Sequence, residues 1–214
     1  MRVDAVPLWL KPMFHAWAES VGGLFYVKLK SIRRSMTIEL RGHVPSSDQP
    51  AIFAIWHENL VPLFISLEQI GHRHIWMNHP LWYMKPVHVF LRHLGINELA
   101  LGSTGHNGQA ALEVLASRMK ATRASSMMAV DGPAGPPYQL RKGCLYLALK
   151  TQVPVIPVRF KVSDFHRLEF TWDRKIWPKY GSDLTATFAP PIFVKSQDDI
   201  AETAEQLVAS LNQA

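Results

Sequence analysis

From residue 51 to residue 162 the chain alternates short, nearly continuous apolar runs with longer stretches of helical periodicity, and that alternation constrains the fold more than any other feature. A short run that is apolar at every position has to be covered on both faces. A parallel sheet with helices on either side does that, and it needs a helix between successive strands. Strands are expected at 51–56, 74–77, 98–101, 126–130 and 153–162, with helices at 58–70, 82–94, 108–122 and 142–151 between them. Pro62 fits the first helix only if it lies in its first turn. Residues 36–40 alternate like a half-buried edge strand, 45–50 form a loop, 168–172 and 184–188 are further strands, and 200–211 is a closing helix. The fold class expected is α/β: a mostly parallel sheet flanked by helices over 36–214, preceded by an amphipathic helical element over 1–35. There is no internal repeat.

That leading element reads as one long helix or two short ones over residues 7–34. Leu10, Phe14, Trp17, Val21, Leu24 and Phe25 recur at helical spacing, Trp9 and Met13 widen the stripe, and Gly22 and Gly23 are a candidate break. Lys11, Lys28, Lys30, Arg33 and Arg34 supply cations at both ends. The pattern suits a helix lying in a lipid interface, and equally one packed on its own domain. The apolar stretch 5–10 is cut short by Lys11, so no secretory signal is expected, and the run 60–67 is interrupted by Pro62 and Ser66. Nothing approaches the roughly 18 apolar residues that span a bilayer. Cys144 is the sole cysteine, so no internal disulfide can form, and the net charge of +6 favours anionic partners.

Three expected strands end in residues with chemistry. The run 51–56 leads into His57 and Glu58; 98–101 leads into Gly102, Ser103 and Thr104 of a Gly-containing turn; 126–130 leads into Asp131, Gly132 and Pro133. In open parallel sheets ligands bind beyond the carboxyl ends of the strands. If the three strands are neighbours, a histidine, a run of backbone N–H groups and a carboxylate meet on one rim. Each feature also has a plainer reading: a packed histidine, an ordinary loop, an aspartate bonding its own turn. Arg141 and Lys142 open the next helix and could meet phosphate, or could be a solvated basic surface. His72, His74 and His79 match no standard metal spacing, and no metal site is expected. There is no P-loop and no Gly-x-Ser-x-Gly elbow. Nor is there a dense basic run, so nucleic acid is not expected as a partner.

The order of these motifs resembles the glycerolipid and lipid A acyltransferase superfamily (the lysophospholipid acyltransferases), and within it a compact bacterial subgroup of unknown function. The histidine block is matched by Phe53, Ala54, Ile55, Trp56 and His57, and the Gly-containing turn by Ala100 to Ser103. The block that is usually Phe-Pro-Glu-Gly-Thr-Arg stands here as Val130, Asp131, Gly132 and Pro133. Lys142 and Gly143 match a basic Lys-Gly step, and Val153, Pro154, Val155, Ile156, Pro157 and Val158 match the last block. Thr171, Trp172 and Asp173 match an element common in the subgroup. The resemblance covers roughly residues 36–194.

The resemblance implies an α/β sandwich, often with a membrane-docking N-terminal helix. It implies transfer of a fatty acyl group from acyl carrier protein or acyl coenzyme A to a lipid hydroxyl, with His57 as general base and no cofactor beyond the donor. Gly102, Ser103, Thr104, Gly132 and Pro133 would hold substrate, with backbone N–H groups near Gly102 or Gly132 facing the oxyanion. Arg141 and Lys142 would hold phosphate, and Trp76, Trp82, Tyr83 and Phe90 could line an acyl groove. The location implied is the cytoplasmic face of the inner membrane, as a peripheral, monotopic protein. One departure matters: the superfamily has an aspartate five positions after the histidine, and here that position is Pro62. Glu58 or Asp131 could orient the imidazole in its place. The alternative is a lipid-binding or carrier protein on the same fold without catalysis.

Overall fold

The computed structural model describes residues 2–3, 5–102 and 107–213. Five strands form the main sheet: β1 (Thr37–Gly42), β2 (Ile52–Ile55), β5 (Ser126–Ala129), β6 (Val155–Val162) and β9 (Asp183–Phe188), in the order β1-β9-β6-β2-β5. The pair β3 (Ile75–Asn78) and β4 (Glu98–Leu101) is parallel. It continues the sheet beyond β5 through a single bridge between His74 and Ser125. Within this sheet, among the described residues, the strand pairings are parallel except that of β9 with β6. Ile52, Phe53, Ala54 and Ile55 are each 0% exposed, so the uninterrupted apolar run of β2 does reflect cover on both faces. As expected, β1 is an edge strand.

Helices divide by face. α1 (Lys11–Arg34), α2 (Leu60–Ile70) and α3 (Lys85–His93) pack with Phe53, Ile55 and Met127. α4 (Gly108–Thr122), α5 (Gly143–Thr151) and α6 (Ile200–Asn212) pack with Ile52, Ala54 and Val130. Pro62 is the third residue of α2, where a helix leaves its N–H groups unbonded in any case.

The bridge at Ser125 has a consequence for the interior. Ile75 N–H donates to Ser125 O at 2.9 Å and Ser125 N–H to Arg73 O at 2.8 Å. Among the described residues no backbone hydrogen bond joins β3 to β5 beyond this point. Trp76, Met77 and Asn78 pair with β4 alone, and residues 126–129 pair with β2 alone. The sheet is therefore split between β5 and β3 toward its carboxyl rim.

Of the two forms open for the leading element, the single long helix is found: α1 runs unbroken through Gly22 and Gly23. Gly22 serves packing: a Cβ there would lie 2.5 Å from Pro86 O and 2.9 Å from Val89 Cβ of α3. The buried face of α1 is Phe14, Ala18, Gly22, Leu29 and Ile32, whereas Val21 and Leu24 of the apolar stripe read from the sequence are exposed. One expectation needs correction: residues 168–172 are not a strand but the turn between β7 (Phe165–Arg167) and β8 (Ile176–Pro178). Alternating Leu168, Phe170 and Trp172 imitate strand periodicity, yet Thr171 N–H bonds Leu168 O at 3.1 Å and Phe170 is 86% exposed. Among the described residues no helix is long and apolar enough to cross a membrane.

Candidate active site

Strand register brings the central pair together. Ile55 lies opposite Ala129 in the parallel β2–β5 ladder, so two residues further along each chain His57 faces Asp131. His57 opens a single 3-10 turn, His57–Asn59, ahead of α2. Its Nδ1 lies 2.9 Å from Asp131 Oδ1, and its backbone N–H donates to the same oxygen at 3.0 Å. The Asp131 side chain is 1% exposed and that of His57 17%. A carboxylate only accepts hydrogen bonds, so this geometry puts the imidazole proton on Nδ1 and leaves Nε2 as the basic nitrogen.

The other oxygen of Asp131 accepts from the Tyr138 backbone N–H at 3.3 Å. Tyr138 has φ 61, a left-handed conformation uncommon for a residue with a Cβ. Its ring packs edge-on against Trp56, and its hydroxyl donates to Glu58 Oε2 at 2.8 Å. Arg167 of β7 donates to the same Glu58 oxygen at 2.8 Å. Glu58 thus ties the turn carrying His57 to the loop carrying Asp131 and to the β7–β8 hairpin; its carboxylate bonds Tyr138 and Arg167 rather than His57. Burial, with the Glu58 contact second, raises the Tyr138 phenol above its ordinary pKa, and the Glu58 bond raises the Arg167 guanidinium. Of the two carboxylates left open by the sequence, Asp131 is the one on the imidazole.

Trp172 covers the histidine, with ring centroids 5.0 Å apart. Gly135, at φ 71, admits it: a Cβ there would stand 2.6 Å from the Trp172 ring. The turn carrying Trp172 is held by Asp173, whose side chain is 0% exposed and pairs with Lys175. Tyr138, Arg167 and Trp172 were not identified as site residues from the sequence. Trp172 stood inside a recognised motif, while Tyr138 and Arg167 carried no local signal.

A cavity of about 670 Å³ opens beside this pair, lined among the described residues by His57, Gly102, Gly132, Pro133 and Arg141 with many apolar side chains. Gly102 donates its N–H to Asn78 O at 2.9 Å, so that donor is already engaged. Gly132 N–H has no partner among the described residues, and Gly132 takes φ 77 with Arg141 against it. Arg141 spends one N–H on Gly135 O at 2.9 Å, which leaves further donors of its fork. Lys142 precedes α5 on the surface and does not line the cavity. Ser103 and Thr104 lie outside the described residues. Of the aromatics expected in an acyl groove, Trp76 lines the cavity. Phe90 is packed in the core against Phe25 and Phe64, while Trp82 and Tyr83 are surface residues. Cys144 also lines it, but burial pushes its thiol up to about 12, which suits a packing residue and not a nucleophile. Among the described residues no group of three or more His, Cys, Asp or Glu side chains is placed to hold a metal.

Comparison of the sequence with protein-family models and with curated proteins gives no match in either case. Among solved structures, the chain is similar in fold to the 1-acyl-sn-glycerophosphate (LPA) acyltransferase PlsC from Thermotoga maritima. The TM-score is 0.51 at 15% sequence identity, covering 93% of this chain and 80% of that one. The fold is acyltransferase-like. At that identity the likeness is one of architecture, and the chemistry has to be argued from the site.

Proposed function

We propose that the protein is an acyltransferase that moves a fatty acyl group from a thioester donor, on acyl carrier protein or coenzyme A, to a hydroxyl of a lysophospholipid or related lipid at a membrane surface. The observation that carries the reading is the His57–Asp131 pair at 2.9 Å on the lip of a largely apolar cavity. The lipid chemistry of the fold neighbour, an LPA acyltransferase, points the same way. His57 Nε2 takes the proton of the acceptor hydroxyl as its oxygen bonds the thioester carbonyl carbon. Asp131 holds the tautomer and balances the imidazolium that forms. Gly132 N–H is the available donor for the oxyanion. The carbon–sulfur bond then breaks, and the departing sulfur receives the proton from the imidazolium. Leu60, Leu63, Phe64, Trp76 and Val87 offer the acyl chain an apolar arm of the cavity. Arg141 is placed for a phosphate.

The surface of α1 supports the membrane part. Its outer face carries Met13, Trp17, Val21, Leu24 and Val27 at three- and four-residue steps, with Leu8 and Trp9, both 80% exposed, just ahead. A helix that is apolar on its packed face and on its outer face has a second apolar environment to satisfy. Lys11, Lys28 and Lys30 accompany the stripe, as anionic lipid headgroups require. Trp17 meets Trp82, which leads through residues 83–84 to the cavity at Met84, so the stripe leads to the cavity mouth.

The test is mass spectrometry of product formed by purified protein from acyl thioester and lysophospholipid. His57→Ala is expected to lower turnover by about 100- to 10,000-fold with the fold intact. Unchanged turnover in that variant refutes the mechanism. Lipid binding without product from the wild type would instead favour a carrier protein, the reading that the loss of an aspartate at Pro62 would suit.

A further inference from the structure

The cavity does not stay on one face of the sheet. Leu63, Phe64, Trp76 and Met127 belong to the side of α1–α3, while Leu112, Met128 and Cys144 belong to the side of α4–α6, and all of them line it. It passes through the sheet where β3 leaves β5, with His57 and Gly132 at the passage. The two arms differ in chemistry. On the α2–α3 side the walls are chiefly Leu60, Leu63, Phe64, Trp76 and Val87, with Asn78 and His79 past the end of β3. On the other side, beyond Leu112 and Gly143, the walls are Gln109, Glu113, Tyr146 and Lys150. Gly143, Tyr146 and Lys150 stand three and four residues apart on α5, and Gln109 and Glu113 four apart on α4, so each set shares a helix face. They form a polar groove between the two helices. Gln109, Tyr146 and Lys150 are exposed, and the groove is bridged by a Lys150–Glu113 ion pair at 2.7 Å.

We propose that the α4–α5 groove seats the phosphopantetheine arm of the thioester donor. Only an amphiphile with its reactive carbon in the middle fills both arms with His57 between them. Its acyl chain takes the apolar arm and its thioester stands at the passage. Its amide-bearing arm then runs out between α4 and α5, with Gln109 and Tyr146 as hydrogen-bonding walls. Lys150, held among the described residues by an exposed pair to Glu113, can turn to the phosphate at little cost. The acceptor lipid would sit on the opposite side, where the exposed apolar stripe of α1 lies. A water-borne donor and a bilayer-held acceptor would thus reach His57 from opposite faces of the sheet. The inference rests on the acyltransferase reading and names how its donor binds.

The experiment pairs kinetics with direct binding. Lys150→Ala and Tyr146→Ala are expected to raise KM for the donor about tenfold and leave KM for the acceptor unchanged. Calorimetry with a non-hydrolysable S-alkyl coenzyme A should show the same loss of affinity. Equal losses with acyl coenzyme A and acyl carrier protein place the effect in the arm they share; a loss with one alone puts it in that carrier beyond the arm and overturns the assignment. A rise in acceptor KM instead, or affinity for the thioether indifferent to both substitutions, overturns the assignment. If the wild type makes no product yet binds the thioether through Lys150, the groove stands and the transferase reading falls.

Discussion

Asp131→Asn separates the charge of Asp131 from its shape. The carboxylate accepts from His57 Nδ1 at 2.9 Å, from His57 N–H at 3.0 Å and from Tyr138 N–H at 3.3 Å. An amide with its oxygen toward His57 keeps the first two bonds and sets its NH₂ against the Tyr138 N–H. Turned the other way, it opposes two donors and forces the imidazole proton onto Nε2, which removes the base. The first arrangement is the cheaper, so the fold and the tautomer largely survive and what is lost is the countercharge. Two unit charges about 4 Å apart at an effective dielectric near 20 attract by about 4 kcal/mol. That is about a thousandfold in rate. Single-turnover transfer from a radiolabelled acyl thioester measures the step, with circular dichroism to confirm folding. His57→Ala combined with Asp131→Asn should be no slower than His57→Ala alone, because the two act as one unit. An Asp131→Asn protein within about threefold of wild type, or losses that multiply in the double variant, would refute the pairing.

Tyr138→Phe removes the phenol that spans to Glu58 while keeping the backbone N–H on Asp131; kcat should fall by about tenfold with little change in KM, and a change confined to KM would mean that Tyr138 touches substrate instead. Gly135→Ala meets both a positive φ and the Trp172 ring, so it should cost about 1–3 kcal/mol in urea unfolding and displace the cover of His57, seen as altered Trp fluorescence. Burial lowers His74 to about 3 and His88 to about 4. Below pH ~6.5 the unfolded chain binds protons at both sites before the folded one does, so stability falls as pH drops from 6.5 toward 4, by a few kcal/mol in all. A urea midpoint as high at pH 5 as at pH 7 would contradict this.

Much of the sheet was legible because β2, and β6 as far as Val158, are buried on both faces, and such stretches announce themselves as unbroken apolar runs. The pairing of His57 with Asp131 was legible only as one of two options, because sequence shows which strand ends carry chemistry but not which strands are neighbours. Once β2 lies beside β5 in register, the choice is made by geometry. The hairpin at 165–178 was misread because its turn repeats an apolar residue at every second position, which is also the mark of a strand. Arg167 reaches Glu58 across 109 positions of sequence, and no local pattern reports a contact of that kind. The packing of α1 stayed open for a related reason: a helix with two apolar faces does not say which one meets the protein.

The contact of Gly22 with Pro86 and Val89 bears on how the membrane question can be asked. With its backbone pressed against α3, α1 is part of the wall that encloses Phe90 and Phe64, not a leader that can be clipped away. Deleting the first 34 residues would lay that wall open, and a truncated protein that sticks to vesicles or to itself would report a damaged core. Exchanging Trp9, Met13 and Leu24 for serine or glutamine leaves the seam with α3 closed. Vesicle flotation of that triple variant asks about the lipid and nothing else.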